Sequence, residues 1–106
     1  MLRRSLTAVL EKNSTFTSDF ETEPYEVAWA SEARWFVRVF EIEGRLQIGP
    51  EVSPDGLEWC TEGSPGLAID AAGLYSLPLR DFVHWLRLRG TVEGSARVQI
   101  LLALKE

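Results

Sequence analysis

One histidine, His84, and one cysteine, Cys60, bound the chemistry open to this chain of 106 residues. A single imidazole excludes a metal site built on two histidines, and general-base work would fall to His84 alone. Alternation puts His84 on the same strand face as Leu86 and Leu88, which reads as a buried or rim histidine with a structural hydrogen bond. Cys60 has no basic sequence neighbour to lower its thiol pKa and reads as a buried thiol. Alone, it cannot close an internal disulfide. Asp19, Glu21 and Glu23 alternate, so an extended segment would project them from one face. Oxygen ligands of this kind suit calcium only when loop carbonyls complete the shell. The commoner role of such charges is to keep an edge strand from pairing with another chain. Sixteen acidic residues on a protein surface need no glycosidase pair to explain them. The expectation is a protein with no catalytic residue, no cofactor and no metal.

The tryptophans pose the sharper question. Trp29, Trp35, Trp59 and Trp85 either fill a core or offer flat platforms to sugar rings, and two or three of the four are expected inside. Trp85 shares a face with Arg87 and Arg89, opposite the leucines, and Trp and Arg are enriched at interface hot spots. Further on, Leu101 and Ala103 lie on the face opposite Val98 and Ile100, so the terminal sheet carries apolar side chains on both sides. In a chain this short a two-faced sheet needs a partner, and another copy of the chain is the simplest supply.

Charge agrees with that partner. The net charge of −5 argues against nucleic acid or an anionic membrane. Six acids between Glu11 and Glu32 stand against Lys12, whereas five bases between Arg80 and Glu106 stand against three acids. Nine of the eleven bases are arginine, the residue favoured at interfaces for its planar fork. Pairing of Arg87, Arg89 and Arg97 with Glu21, Glu23 and Glu26 of a neighbouring copy is the expected contact.

The elements that would position these residues are strands. Arg34 to Glu43 is dense in aromatic and β-branched residues, with Arg45 to Val52 as its partner across a two-residue Glu43-Gly44 turn. Pro50 then belongs at an edge or a bulge. Glu93-Gly94 repeats that turn between Val83–Val92 and Ala96–Lys105. Arg3 to Lys12 reads as a first strand, residues 13–24 as a loop or edge strand pinned by Phe16 and Phe20, and Tyr25 to Trp29 as a strand with one wet face. Leu67 to Arg80 admits either a helical turn or strands, with Gly73 and Pro78 favouring strands. Glu51 to Trp59 carries the clearest turn grammar: Ser53, Pro54 and Asp55 suit a type I turn that Gly56 closes at positive φ, with Leu57 to Glu62 returning as a strand. About seven to nine short strands, spaced near ten residues apart, make an all-β, antiparallel two-sheet sandwich in one domain, residues 1–106.

Val52-Ser53-Pro54-Asp55-Gly56-Leu57-Glu58-Trp59 resembles the S-x-D-G-x-x-W hairpin of discoidin-like (coagulation factor 5/8 type C-like) modules, and Phe82-Val83-His84-Trp85-Leu86-Arg87-Leu88 looks like their later aromatic-Val-Arg-Leu strand. The resemblance covers these two segments, about a fifth of the chain, and implies a jelly-roll sandwich. It also implies a glycan ligand, with Trp59 and Trp85 as the residues to meet it. The chain is shorter than such modules and lacks the cysteine pair that often clamps their ends.

No apolar run approaches the roughly 20 residues of a membrane span. The basic start and the short apolar stretch from Leu6 to Leu10 fall short of an export signal. A cytoplasmic or particle-associated location is therefore expected. Two functions follow: a non-catalytic structural protein that self-assembles into a ring, cage or filament, as in capsid- or phage-associated proteins, or a carbohydrate-binding module.

Overall fold

Two long strands organise the fold: β4 (Glu32–Ser53) and β8 (Trp85–Lys105) pair antiparallel along their whole lengths. The structure, a computed structural model, describes residues 3–106; Met1 and Leu2, at the head of the stretch weighed as an export signal, lie outside the described residues. Along the free side of β8 run β1 (Ser5–Phe16), β2 (Phe20–Glu21) and β3 (Tyr25–Glu26), one after another. Along the free side of β4 run β5 (Cys60–Thr61), β6 (Leu67–Ile69) and β7 (Gly73–Leu79). The chain is thus all-β and antiparallel, with eight strands in one continuous sheet.

That sheet is folded on itself. The 22 residues of β4 would span about 70 Å at about 3.3 Å each, yet the longest dimension of the molecule is 45 Å. The bend takes in a bulge between Val39 and Glu41 and the Gly44–Gly94 pair, whose members face each other in the register and take φ of 95° and 91°. A Cβ on Gly44 would lie 2.0 Å from the carbonyl oxygen of Glu93, and one on Gly94 equally close to that of Glu43. Only glycine permits this approach at positive φ. Residues 32–43 therefore form one layer with residues 95–105, and residues 45–53 form the other with residues 85–93.

The core lies between the two layers. Trp35, Val37, Leu46 and Ile48 of β4 and Leu86, Leu88, Ile100 and Leu102 of β8 are buried in one cluster. Each apolar side chain removed from water contributes about 1.5–3 kcal/mol, and only the folded-over sheet lets both halves of each strand use the same interior. Beside the bend, Phe16 and Phe20 stack at 3.8 Å, and the Phe20 ring occupies the space over Gly90 that a Cβ would need.

Several expected boundaries move. Glu43-Gly44 and Glu93-Gly94 are not turns: the positive φ that suits a hairpin serves here to bend two paired strands together. Residues 67–80 hold no helix but β6 and β7. The return strand after the Ser53–Gly56 turn shrinks to Cys60–Thr61, because residues 54–59 form a wider loop. Pro50 sits within central β4, opposite Leu88. Its carbonyl accepts a bond from Glu62 N, on the β5 side. Since N and O of one strand residue point the same way, its missing N–H falls in the gap between β5 and β6.

Candidate functional site

The period of two along β8 turns Trp85 and Arg87 outward in one layer and Arg97, Leu101 and Ala103 outward in the other. The bend at Gly94 separates the two groups onto opposite outer faces, so the residues expected to form one interface do not form a single patch.

On the outer face of the 45–53/85–93 layer the chain covers itself. Arg87 Nε donates to Glu51 Oε1 at 2.6 Å, its guanidinium lies 4.4 Å from the Trp59 ring centroid, and Nη1 stands 3.9 Å from Glu21 Oε2. Residues 54–59 fold over Trp85, with Gly56 pressed so near the indole that a Cβ would stand 3.2 Å from it. This loop is tied by side chains. Ser53 Oγ accepts from Gly56 N at 2.8 Å and from Asp55 N at 3.2 Å, while Asp55 Oδ1 accepts from Leu57 N and Glu58 N. The bonds from Leu57 N and Glu58 N, then that from the Ser53 hydroxyl, hold the Asp55 carboxyl below its ordinary value of 3.8. Beneath the loop Ser53 is fully buried and Glu51 is only 9% exposed. Glu21 thus meets Arg87 within one chain, and Arg89 stands exposed opposite it in the register.

The outer face of the 32–43/95–105 layer is uncovered by any described residue of the chain. In register across it, Val9 of β1 stands beside Leu101, Leu101 beside Phe36 and Phe36 beside Ser76. The adjoining row is Thr7, Ala103, Arg34 and Pro78, and Leu74 lies beyond, opposite Arg38. Val9 is 56% exposed and Leu74 54%, while Phe36, Leu101 and Ala103 are half-buried by their neighbours. Leu101 and Ala103 are where sequence reasoning placed them. Phe36, Val9 and Leu74 were missed, although the alternation of Phe36 with Trp35 and Val37 already turned it outward. Arg97, nearer the bend, is engaged within the chain: Nη2 lies 3.3 Å from Glu41, Nη1 donates to Asn13 Oδ1 at 3.0 Å, and the guanidinium sits over Phe40.

At the end of this face away from the bend lies a groove of about 650 Å³. Phe36, Pro78 and Ala103 give it an apolar wall; Arg34, Arg80 and Lys105 give it three cations. Glu32 and Asp81 also reach it, yet no carboxylate of the described residues stands within 4.0 Å of those three cations. Arg34 Nη1 donates to Ser76 Oγ at 3.0 Å, and Arg80 and Lys105 are exposed.

The acidic segment lies at the opposite edge of the sheet. Phe20 faces inward and Thr22 is buried, its hydroxyl accepting from Leu88 N at 2.9 Å, so Asp19, Glu21 and Glu23 project outward by alternation as expected. Glu26 accepts from Ala28 N at 2.8 Å. Among the described residues no three acidic, histidine or cysteine side chains gather to hold a metal ion.

Three other expectations change. Cys60 is exposed on β5, a two-residue edge strand, with its thiol 3.8 Å from the Val52 carbonyl oxygen. His84 is exposed too: it lies before the first residue of β8, and what it contributes is its backbone carbonyl, which accepts from Val27 N at 2.7 Å. Of the four tryptophans only Trp35 is fully in the core, while Trp29 is half-buried under the Arg4 guanidinium at 3.6 Å. Among the described residues no helix is long and apolar enough to cross a membrane. Comparison of the chain with protein-family profiles and with curated proteins returned no match.

Proposed function

We propose that the protein is a non-catalytic structural protein whose copies associate through the outer face of the 32–43/95–105 layer. The carrying observation is the in-register row Val9–Leu101–Phe36, apolar side chains on a sheet face that the chain leaves uncovered. The contrast between the two layers supports the reading. One outer face buries Glu51 and Ser53 beneath the chain's own loop; the other has no such cover, and its apolar row runs from exposed Val9 to half-buried Leu101 and Phe36. Apolar area of this kind is worth about 25 cal/mol per Å² when a partner removes it from water. The Arg87 and Arg97 guanidinium groups already meet carboxylates of their own chain.

The glycan reading draws less support. Trp59 has its ring beneath the Arg87 guanidinium and Trp85 has Gly56 over its indole, so neither offers a clear flat face. Light scattering on a sizing column is the test of self-association. A mass of several copies supports it, and a monomer of 12.0 kDa at every concentration rejects it. Tryptophan quenching by oligosaccharides would then bring the glycan reading forward.

A further inference from the structure

The groove carries three cations against the two acids Glu32 and Asp81, a formal balance of +1, while residues 19–24 carry Asp19, Glu21 and Glu23 and no base; the two are complementary, and no single chain can join them. In the order of strands, β2 carries the acids along the free side of β8, whereas β7 walls the groove along the free side of β4. Two strands lie between. Asp19 and Glu23 are exposed and make no ion pair among the described residues; Arg80 and Lys105 are likewise exposed and unpaired. Glu21 is partly committed to Arg87 and Glu26 to Ala28 N, which leaves Asp19 and Glu23 as the free carboxylates. Pro24, exposed directly after Glu23, adds an apolar ring to the acids, as Phe36 and Pro78 add an apolar wall to the cations.

We infer that residues 19–24 of one copy seat in the Arg34–Arg80–Lys105 groove of the next copy. Glu23 and Asp19 meet Arg80 and Lys105, and Pro24 lies toward Phe36. Because the two surfaces differ and lie on opposite edges, the contact is head-to-tail: each copy offers one acidic edge and one groove, and the chain of contacts closes as a ring or continues as a filament. The inference rests on the self-association reading and specifies its second surface. The Val9–Leu101–Phe36 row adjoins the groove, so the same neighbour covers both. Attraction between exposed charges is screened over about 8 Å at physiological ionic strength, so the assembly loosens as salt rises.

The experiment is light scattering on the unaltered chain, on D19K/E23K, on R80E/K105E and on an equimolar mixture of the two variants. The expected result is three or more copies for the unaltered chain, fewer at high salt, and 12.0 kDa monomers for each variant alone. The mixture should re-associate with the two variants alternating, since each reversed edge then meets a reversed groove and each unaltered edge an unaltered groove; that re-association also shows both variants to be folded. A symmetric dimer for the unaltered chain, full mass in either variant alone, or a mixture that stays monomeric overturns the head-to-tail contact while leaving self-association standing. A monomeric unaltered chain overturns both.

Discussion

Gly44 and Gly94 oppose each other at the bend of two paired strands, each leaving the room that the other's preceding carbonyl occupies. Neither position tolerates a side chain. The left-handed conformation alone costs a non-glycine residue on the order of 1–3 kcal/mol, and collision with a backbone carbonyl adds to it. Gly44→Ala and Gly94→Ala should each lower the unfolding free energy, read from urea titration, by at least that much, whereas Gly49→Ala, with open space around its Cβ, should be far milder. Equal losses at Gly49 and Gly44 would mean that the bend has another cause.

The Arg87–Glu51 pair is partly shielded, with side-chain exposures of 17% and 12%. Removing one member of a fully buried pair costs about 3–5 kcal/mol because the other charge is stranded, and the residual solvent here should bring Arg87→Met nearer 2 kcal/mol. Replacing both, as Arg87→Met with Glu51→Leu, should recover most of the loss. Thermal unfolding of the two single variants and the double variant closes the cycle; additive losses would show that the pair is not coupled.

Asp55 makes the loop over Trp85 sensitive to acid. Its carboxyl titrates below 3.8 in the folded chain, so the unfolded chain takes up that proton first. The stabilisation from Asp55 is therefore complete above about pH 5 and fades as pH falls through the lowered folded value. Asp55→Asn keeps an oxygen acceptor for Leu57 N and Glu58 N but carries no charge. The stability difference between the two proteins should shrink below about pH 4, as read from urea midpoints across the acid range. A difference constant with pH would remove Asp55 from the acid response.

Phe36→Asp and Leu101→Asp place a charge on the uncovered face without touching the core between the layers. Both should remain folded, with unfolding temperatures within a few degrees of the unaltered chain, and both should elute as 12.0 kDa monomers. Trp85→Ala should do the reverse. It removes the support of the 54–59 loop and lowers stability while leaving assembly intact.

Side-chain parity was legible before the structure because a strand's period of two depends only on local sequence. Leu86 and Leu88 inward, Trp85 and Arg87 outward, and Leu101 and Ala103 outward all follow from it. The meaning of the Glu-Gly pairs was not. A two-residue hairpin turn and this close pairing of two bent strands both use glycine at φ above zero, and only the presence of Gly94 opposite Gly44, fifty residues away in sequence, selects the second. The fate of the Trp85–Arg87 stripe was hidden for a similar reason: parity says which way a side chain points, but the path of residues 54–59 decides whether that direction ends in water. Cys60 and His84 were misjudged because both lie at strand margins, where alternation has too few residues to count.

The long strand β8 also dictates when the protein can begin to exist. It bonds to β1, β2, β3 and β4, and its far end pairs Lys105 with both Ser5 and Glu32. β1 to β3 pair with β8, so β3 has no neighbour until Trp85 and Leu86 are made, β2 none until Arg89 and Gly90, and β1 none until residues 96–105. β4 can pair with β5, β6 and β7 before β8 is made, whereas the β1–β8 ladder must close loops of up to a hundred residues, from Ser5 to Lys105. Both layers share β4 and β8, so neither can be made, or lost, alone.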